Sequence, residues 1–115
     1  LGGNDALRGY SINLIKSNLE KMIALAKQNK SKVLLMQIRI PPNYGQKYTH
    51  AFEKIYVDLA QTEEVYLLPF MLEEIGINSE LMQPDGIHPN KKAQSLIAKD
   101  VKKNIDKFLL INQSN

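Results

Sequence analysis

The segment 85–89 reads Asp-Gly-Ile-His-Pro and places a carboxylate and an imidazole three residues apart. A carboxylate that accepts a hydrogen bond from one imidazole nitrogen fixes the tautomer and leaves the other nitrogen able to take a proton from a serine hydroxyl. Gly86 permits the tight turn that this approach needs, and Pro89 restricts the backbone at its exit. The spacing predicts that Asp85 orients His88 and that His88 is a general base.

Two other interpretations of the same pair are open. Asp-Gly is a common turn signal, so Asp85 could simply be a turn residue that caps backbone N–H groups. One aspartate and one histidine could also begin a metal site, but they are too few ligands, and the other histidine, His50, falls on a different predicted helix. We therefore predict no metal.

A second polar cluster, Gly-Gly-Asn-Asp at positions 2–5, lies near the start of the chain. An acyl-transfer intermediate carries a developing negative oxygen, and a side-chain amide beside a glycine that admits substrate can donate a hydrogen bond to it. Asn4 is therefore a candidate oxyanion donor and Gly3 a candidate substrate contact. The same string is also typical of an ordinary loop.

A nucleophile does not accompany these clusters. The chain has no cysteine, which excludes a thiolate nucleophile, a disulfide framework and a thiolate zinc site. None of its six serines lies in a Gly-x-Ser-x-Gly or Gly-Asp-Ser context. They are Ser11, Ser17, Ser31, Ser79, Ser95 and Ser114.

Charge and hydropathy restrict the class of protein. The net charge is +3, and acidic residues are interspersed with the lysines, which indicates solvated helix faces and no nucleic-acid surface. No run of about 18 apolar residues occurs, so we expect no stable membrane insertion. The absence of a glycine-rich phosphate loop argues against a mononucleotide-binding domain.

Apolar residues at steps of three and four predict three long helices. The first runs from Ser11 to about Asn29, with a stripe of Ile12, Ile15, Leu19, Met22, Ile23 and Ala26. The second carries Tyr48, Phe52, Ile55, Tyr56 and Leu59. The third follows Asn90 as a candidate N-cap, and its expected buried side holds Ala93, Ile97, Val101, Ile105 and Phe108.

Two short apolar runs, Val33–Ile38 and Val65–Pro69, predict parallel strands that are covered on both faces. A short helix is expected over Met71–Ile75, and loops over Pro42–Lys47 and Asn78–His88. The order of elements is typical of an α/β sheet with crossover helices. Two strands are too few for such a sheet, so we expect residues 1–115 to be the carboxyl-terminal part of one domain, with its amino-terminal segment and any signal peptide upstream of Leu1.

The motifs together resemble the SGNH hydrolases, also called GDSL esterases. Segments 1–5 and 85–89 are similar to two of that family's sequence blocks. Segment 35–45, Leu-Met-Gln-Ile-Arg-Ile-Pro-Pro-Asn-Tyr-Gly, and segment 67–70, Leu-Leu-Pro-Phe, resemble the bacterial multifunctional acyl-CoA thioesterase/lysophospholipase/arylesterase branch. The similarity extends from residue 1 to about residue 109.

The resemblance implies a three-layer α/β/α, flavodoxin-like fold and a serine that attacks the acyl carbonyl of esters or thioesters. It also implies no cofactor and a periplasmic or secreted location. Asn4 would be the oxyanion-hole donor, His88 the general base and Asp85 its orienting carboxylate, while the segment 5–10 would be a mobile loop beside the acyl pocket.

By the same resemblance, Arg39, Ile40 and Pro41 would line the substrate groove. Arg39 also follows a predicted strand, where α/β folds place ligand contacts, although it could equally be a surface charge. The family's Gly-Asp-Ser nucleophile block has no counterpart here, so we expect this chain alone to be inactive. The alternative function is a non-catalytic acyl-chain or protein-binding module on a hydrolase scaffold.

Overall fold

The structure is a computed structural model that describes residues 1–113. It divides into two compact units, Leu1–Pro69 and Phe70–Asn115. Ser114, one of the six serines considered above, lies outside the described residues. No helix within residues 1–113 is long and apolar enough to cross a lipid bilayer.

Helices and strands alternate along the first unit. Its elements are α1 Gly3–Leu7, α2 Ile12–Gln28, β1 Leu34–Met36, a 3₁₀ turn Pro42–Tyr44, α3 Gln46–Thr62 and β2 Tyr66–Leu68. The two strands are parallel, with Leu34 opposite Tyr66 and Met36 opposite Leu68. The predicted α/β class with two parallel strands is confirmed.

The start and the buried face of α2 follow from its sequence. The hydroxyl of Ser11 accepts the N–H of Leu14 at 3.2 Å, which satisfies one of the donors that a helix start leaves unpaired. Ile15, Leu19 and Ile23 are buried as the stripe predicts. Met22, which also belongs to the predicted stripe, is 43% exposed, so the buried face of α2 is narrower than predicted.

A single apolar core holds the first unit together. Its buried members are Ala6, Ile15, Leu19, Ile23, Ile40, Phe52, Ile55, Tyr56, Leu59 and Val65. The rings of Phe52 and Tyr56 meet edge to face with centroids 5.4 Å apart, the arrangement that aromatic quadrupoles favour. Ala6 is fully buried, so the core fixes one side of the short helix α1.

Both strands are shorter than predicted, since three residues pair in each. The backbone N–H of Gln37 still reaches the carbonyl of Leu68 at 2.9 Å. The next residue of the second strand is Pro69, which has no N–H to continue the ladder. The flanking apolar residues of each run therefore lie outside the strands.

The second unit consists of turns followed by one long helix. The 3₁₀ turns Ser79–Leu81 and Lys91–Ala93 flank an isolated antiparallel bridge between Met82 and Pro89. The helix α4 covers Gln94–Gln113. The third long helix of the prediction is confirmed.

The prediction of a short helix over Met71–Ile75 is wrong, because these residues form successive turns. The N–H of Gly76 donates to the carbonyl of Leu72 at 2.7 Å. Between Pro69 and Gly76 the run is too short for its few hydrogen bonds to offset the cost of helix nucleation.

The prediction that Ile105 lies on the buried side of α4 is also wrong, since Ile105 is 38% exposed and Asn104 is 8% exposed. Successive steps of four overshoot the 3.6-residue turn, and the step of three from Val101 to Asn104 returns to the buried stripe. The amide of Asn104 donates to the carbonyl of Asp100 at 2.9 Å, so its burial leaves no unpaired donor.

Candidate active site

The two carboxylate oxygens of Asp85 have separate partners. The Oδ1 atom accepts the backbone N–H groups of Ile87 at 2.9 Å and His88 at 3.0 Å. The Oδ2 atom lies 2.6 Å from Nδ1 of His88. A carboxylate accepts hydrogen bonds only, so the ring donates from Nδ1 and its Nε2 carries the free lone pair.

Short-range hydrogen bonds hold the turn that presents this pair. The N–H of Gln83 donates to the carbonyl of His88 at 2.7 Å, and the N–H of Gly86 donates to the carbonyl of Gln83 at 3.0 Å. The amide of Gln83 also donates to the carbonyl of Pro89 at 3.2 Å. Gly86 has φ +67°, a conformation that residues with a Cβ adopt at a cost.

Asn90 closes the segment on its carboxyl side. Its Oδ1 accepts the N–H groups of Lys92 at 2.9 Å and Ala93 at 3.3 Å, and its amide donates to the carbonyl of Glu80 at 2.7 Å. The predicted N-cap is therefore confirmed, at the 3₁₀ turn that leads into α4. One side chain thus links the residues before the Asp85–His88 turn to the helix after it.

Hydrogen bonding stabilises the ionised form of Asp85. The His88 ring makes the largest contribution, followed by the N–H groups of His88 and Ile87, and together they lower the pKa of Asp85 from 3.8 to about 2. The His88 side chain is 61% exposed and that of Asp85 is 42% exposed. The pair can therefore meet a substrate that approaches from solvent, with the carboxylate charged at neutral pH.

Asn4 lies on α1, which begins directly after Gly2. Gly2 has φ +86°, and a Cβ added there would lie 2.6 Å from Oη of Tyr56. The residue is thus glycine for both backbone and space reasons. The expectation that the segment 5–10 is a loop is wrong for its first part, since α1 continues through Leu7. The burial of Ala6 against the core stabilises this helical turn.

An open hollow of about 490 Å³ adjoins Asn4. It is lined by Leu1, Gly2, Gly3, Asn4, Asp5 and Ile38. A Cβ on Gly3 would lie 3.4 Å from Cγ2 of Ile38, so any larger residue would narrow the hollow. Exposed Asn4 beside this space has room to donate to a bound oxygen.

The three residues expected in a substrate groove differ in exposure. Arg39 and Pro41 are exposed, and Ile40 is 7% exposed and belongs to the core. Their role in substrate binding remains a prediction. A side-chain contact from Ile40 would require movement, because this side chain is buried in the core. Ile40 lies four residues after Met36, the last residue of β1.

Each unit brings its own predicted site residues together. Gly3 and Asn4 line one hollow in the first unit, and Asp85 and His88 share a hydrogen bond in the second. Ser17 and Ser95 lie within α2 and α4, where no sharp strand-to-helix turn exposes a nucleophile. Within residues 1–113, no group of three or more metal-ligating side chains occurs.

Sequence reasoning missed three tyrosines that contact the α1 region. The hydroxyls of Tyr44, Tyr48 and Tyr56 donate to main-chain carbonyls of the first ten residues. Tyr44 falls in the predicted loop Pro42–Lys47, and Tyr48 and Tyr56 lie on the apolar stripe of the second predicted helix. A tyrosine on an apolar stripe is a signal for such a bond, because its buried hydroxyl needs a partner.

Comparison with known proteins covers most of this chain. The model of the GDSL-like Lipase/Acylhydrolase family matches residues 1–96. An arylesterase of Vibrio mimicus is 47% identical over 109 residues, which are 95% of this chain and 54% of the relative. The thioesterase 1/protease 1/lysophospholipase L1 of Escherichia coli K12 is 47% identical over 85% of this chain and 47% of its own length. The chain spans about half the length of these curated relatives.

Solved structures agree with the predicted fold class. The esterase EstA of Pseudoalteromonas sp., inhibited by monoethylphosphonate, superposes with a TM-score of 0.92 at 37% identity, over 95% of this chain and 60% of that one. AlinE4, an SGNH-hydrolase family esterase, gives a TM-score of 0.68 at 34% identity, over 92% of this chain and 56% of that one. The chain therefore has part of a flavodoxin-like α/β fold.

Proposed function

Because the chain belongs to the GDSL-like lipase/acylhydrolase family, as its SGNH resemblance predicts, we propose that the complete protein hydrolyses carboxylic esters or acyl thioesters with a serine nucleophile. Relatives named arylesterase, thioesterase and esterase support ester hydrolysis as the reaction class. The observation that carries the proposal is the 2.6 Å contact between Oδ2 of Asp85 and Nδ1 of His88. It leaves Nε2 of His88 as the proton acceptor.

In the proposed mechanism, Nε2 of His88 takes the hydroxyl proton as the serine oxygen bonds to the acyl carbon. The carbonyl electron pair moves to oxygen, and the amide of Asn4 donates a hydrogen bond to that oxyanion. Collapse of the intermediate breaks the bond to the alkoxide or thiolate, which receives the proton from His88. Water then releases the acid by the same steps, while ionised Asp85 stabilises the imidazolium.

We assign the substrate contacts to Gly3 in the Asn4 hollow and to residues 39–41, which follow Ile38 of the hollow's lining in the chain. Gly3 lies at the wall of this hollow and admits the acyl carbonyl because it has no side chain. Arg39 and Pro41 are exposed and offer a charge and an apolar ring, and Ile40 offers its backbone. Acyl-chain length depends on walls that these residues only partly form.

The nucleophile in this proposal lies outside the 115 residues, in the remainder of the same domain. Among the described residues, the serines begin or lie within helices or occupy connections, and none shares a turn with Asp85 and His88. The chain also spans about half the length of its relatives. We therefore propose that the chain alone cannot form an acyl-enzyme.

The free edge of β1 supports a role for that remaining segment as a structural partner. Within the described residues the sheet has the order β1–β2, so one edge of β1 has no strand beside it. Next to β1 is an apolar hollow of about 230 Å³, lined by Leu1, Leu19, Met22, Ile23, Val33, Leu34, Leu35 and Met36. Further strands of the same domain would pair with this edge and cover the hollow.

We also propose a periplasmic or secreted location for the complete protein. The family resemblance is the support for this location. Fractionation of cells that express the complete coding region tests it, and recovery of the enzyme with the cytoplasmic markers would contradict it.

The test of the function is His88→Ala in the complete protein, assayed with an aryl ester and an acyl-CoA. We expect kcat to fall by about a thousandfold or more with little change in KM, because the general base is lost and substrate contacts are not. The matched control is His50→Ala, which removes the chain's other histidine from the exposed surface of α3. Near-normal turnover of His88→Ala would refute the base assignment, and a wild-type protein that binds acyl chains without turnover would favour the non-catalytic module.

A further inference from the structure

Two tyrosine hydroxyls hold the end of α1 and the turn that follows it. The hydroxyl of Tyr44 donates to the carbonyl of Leu7 at 3.1 Å. The hydroxyl of Tyr48 donates to the carbonyl of Tyr10 at 2.5 Å. Both donors come from the start of α3 and the 3₁₀ turn before it, nearly forty residues later in the chain.

The short helix needs such external partners. A five-residue helix is below the length at which its own hydrogen bonds stabilise it. Leu7 is its last residue, so the Leu7 carbonyl has no following N–H within the helix to accept from. The buried side chain of Ala6 anchors one face, and the two hydroxyls anchor the carboxyl end.

The amino-terminal end of α1 is fixed differently. Tyr56 is fully buried and donates its hydroxyl to the carbonyl of Leu1, so its removal would disturb the core as well. Tyr44 is 36% exposed, and Tyr48 is partly exposed. Loss of either hydroxyl would therefore release α1 at its end without opening a cavity in the core.

The hydroxyl of Tyr48 stays protonated, so it can donate its hydrogen bond. Burial and, to a smaller degree, the neighbouring Asp5 raise the pKa of Tyr48 above its ordinary value of 10.0. Asp5 follows Asn4 on α1. The hydroxyl therefore remains protonated throughout the pH range in which an ester hydrolase with a histidine base works.

We propose that Tyr44 and Tyr48 are positioning residues that hold the carboxyl end of α1 and thereby keep the Asn4 amide aimed at the oxyanion. The inference rests on the proposed function, in which Asn4 donates that hydrogen bond. A donor must lie within hydrogen-bond distance of the oxyanion in the transition state, so a small displacement of α1 costs rate more than substrate affinity.

The experiment uses the complete protein with Tyr44→Phe and Tyr48→Phe together, in the wild-type and the Asn4→Ala backgrounds. We expect the double tyrosine variant to lose about tenfold in kcat with KM within about twofold, less than the full loss of an oxyanion donor. In the Asn4→Ala background we expect no further loss, because the tyrosines act through Asn4. Hydrogen exchange at the N–H groups of Arg8 and Tyr10 should accelerate in the double variant.

Thr62→Val is the matched control, because it removes a hydroxyl that donates to the carbonyl of Asp58 at 2.9 Å at the far end of the same helix. Its kcat should equal that of the wild type. An unchanged kcat in the double tyrosine variant would overturn this inference but not the proposed function. The same would follow if the tyrosine substitutions lowered kcat as much in the Asn4→Ala background as in the wild type. Normal turnover of Asn4→Ala itself would overturn the oxyanion assignment and the inference with it, which separates the two failures.

Discussion

Oδ2 of Asp85 lies 2.6 Å from Nδ1 of His88, while Oδ1 of the same carboxylate accepts the N–H groups of Ile87 and His88. The turn interpretation and the catalytic interpretation of this aspartate are therefore compatible. Backbone bonds to one oxygen fix the carboxylate plane, and the fixed plane directs the second oxygen to the ring. The turn is thus the device that sets the imidazole orientation.

Because the two oxygens of Asp85 have different partners, the effect of Asp85→Asn in the complete protein can be predicted. The amide oxygen would have to remain on the two backbone N–H groups, so its NH₂ group would face Nδ1 of His88. The ring would then carry its proton on Nε2, the wrong tautomer for a base, and kcat should fall by about 10³–10⁴. Asp106→Asn is the control, since Asp106 pairs with exposed Lys102 on α4. Steady-state kinetics with turnover near wild type for Asp85→Asn would contradict the tautomer argument.

A second prediction concerns the acidity of Asp85. Its pKa is lowered from 3.8 to about 2, with the His88 ring bond as the largest cause. A carboxyl group with a lowered folded-state pKa contributes stability above its unfolded pKa, and this is lost as the pH falls from about 4 through about 2. Carboxyl ¹³C NMR titration should place Asp85 near 2 in the wild type and higher in His88→Ala. The same pKa in both proteins would contradict the assigned cause.

The local motifs could be predicted from the sequence because each depends on near neighbours. Asp85, His88 and Asn90 form their bonds within ten residues of chain, and the α2 stripe follows helix periodicity. The strand ends could not be predicted, because they depend on the partner across the ladder, where Pro69 ends the pairing opposite Gln37. Apolar content alone extends both strands too far.

The tyrosine contacts could not be predicted for a related reason. Tyr48 and its acceptor Tyr10 are 38 residues apart, and nothing in their local sequence identifies the pair. The helix over Met71–Ile75 was wrongly predicted because a pattern of three apolar residues says little about nucleation cost. Long-range geometry decides the tyrosine contacts, whereas the short length of the run decides the missing helix.

Gly2 allows a stability prediction with an internal control. Gly2→Ala combines positive φ with a Cβ 2.6 Å from Oη of Tyr56, and should lower the unfolding free energy of the complete protein by about 2–4 kcal/mol. Gly9→Ala has φ +72° and nothing within 4 Å, so only the backbone cost of about 1–2 kcal/mol should appear. Denaturant unfolding measures both. Tyr56→Phe removes the Oη atom that the added Cβ would meet. In that background the loss of unfolding free energy from Gly2→Ala should fall to about that from Gly9→Ala. An unchanged loss from Gly2→Ala would contradict the steric account.

The isolated 115-residue chain should not behave as a stable monomer. One edge of β1 is without a strand among the described residues, and Met22 and Leu25 on α2 are 43% and 59% exposed. An open edge beside exposed apolar side chains favours association with other chains. Light scattering with thermal circular dichroism should give oligomers or a broad transition, whereas the complete protein should melt sharply as a control. A sharp two-state melt of monomeric chain would mean that the two strands suffice, and the proposed pairing of further strands at β1 would lose its physical basis.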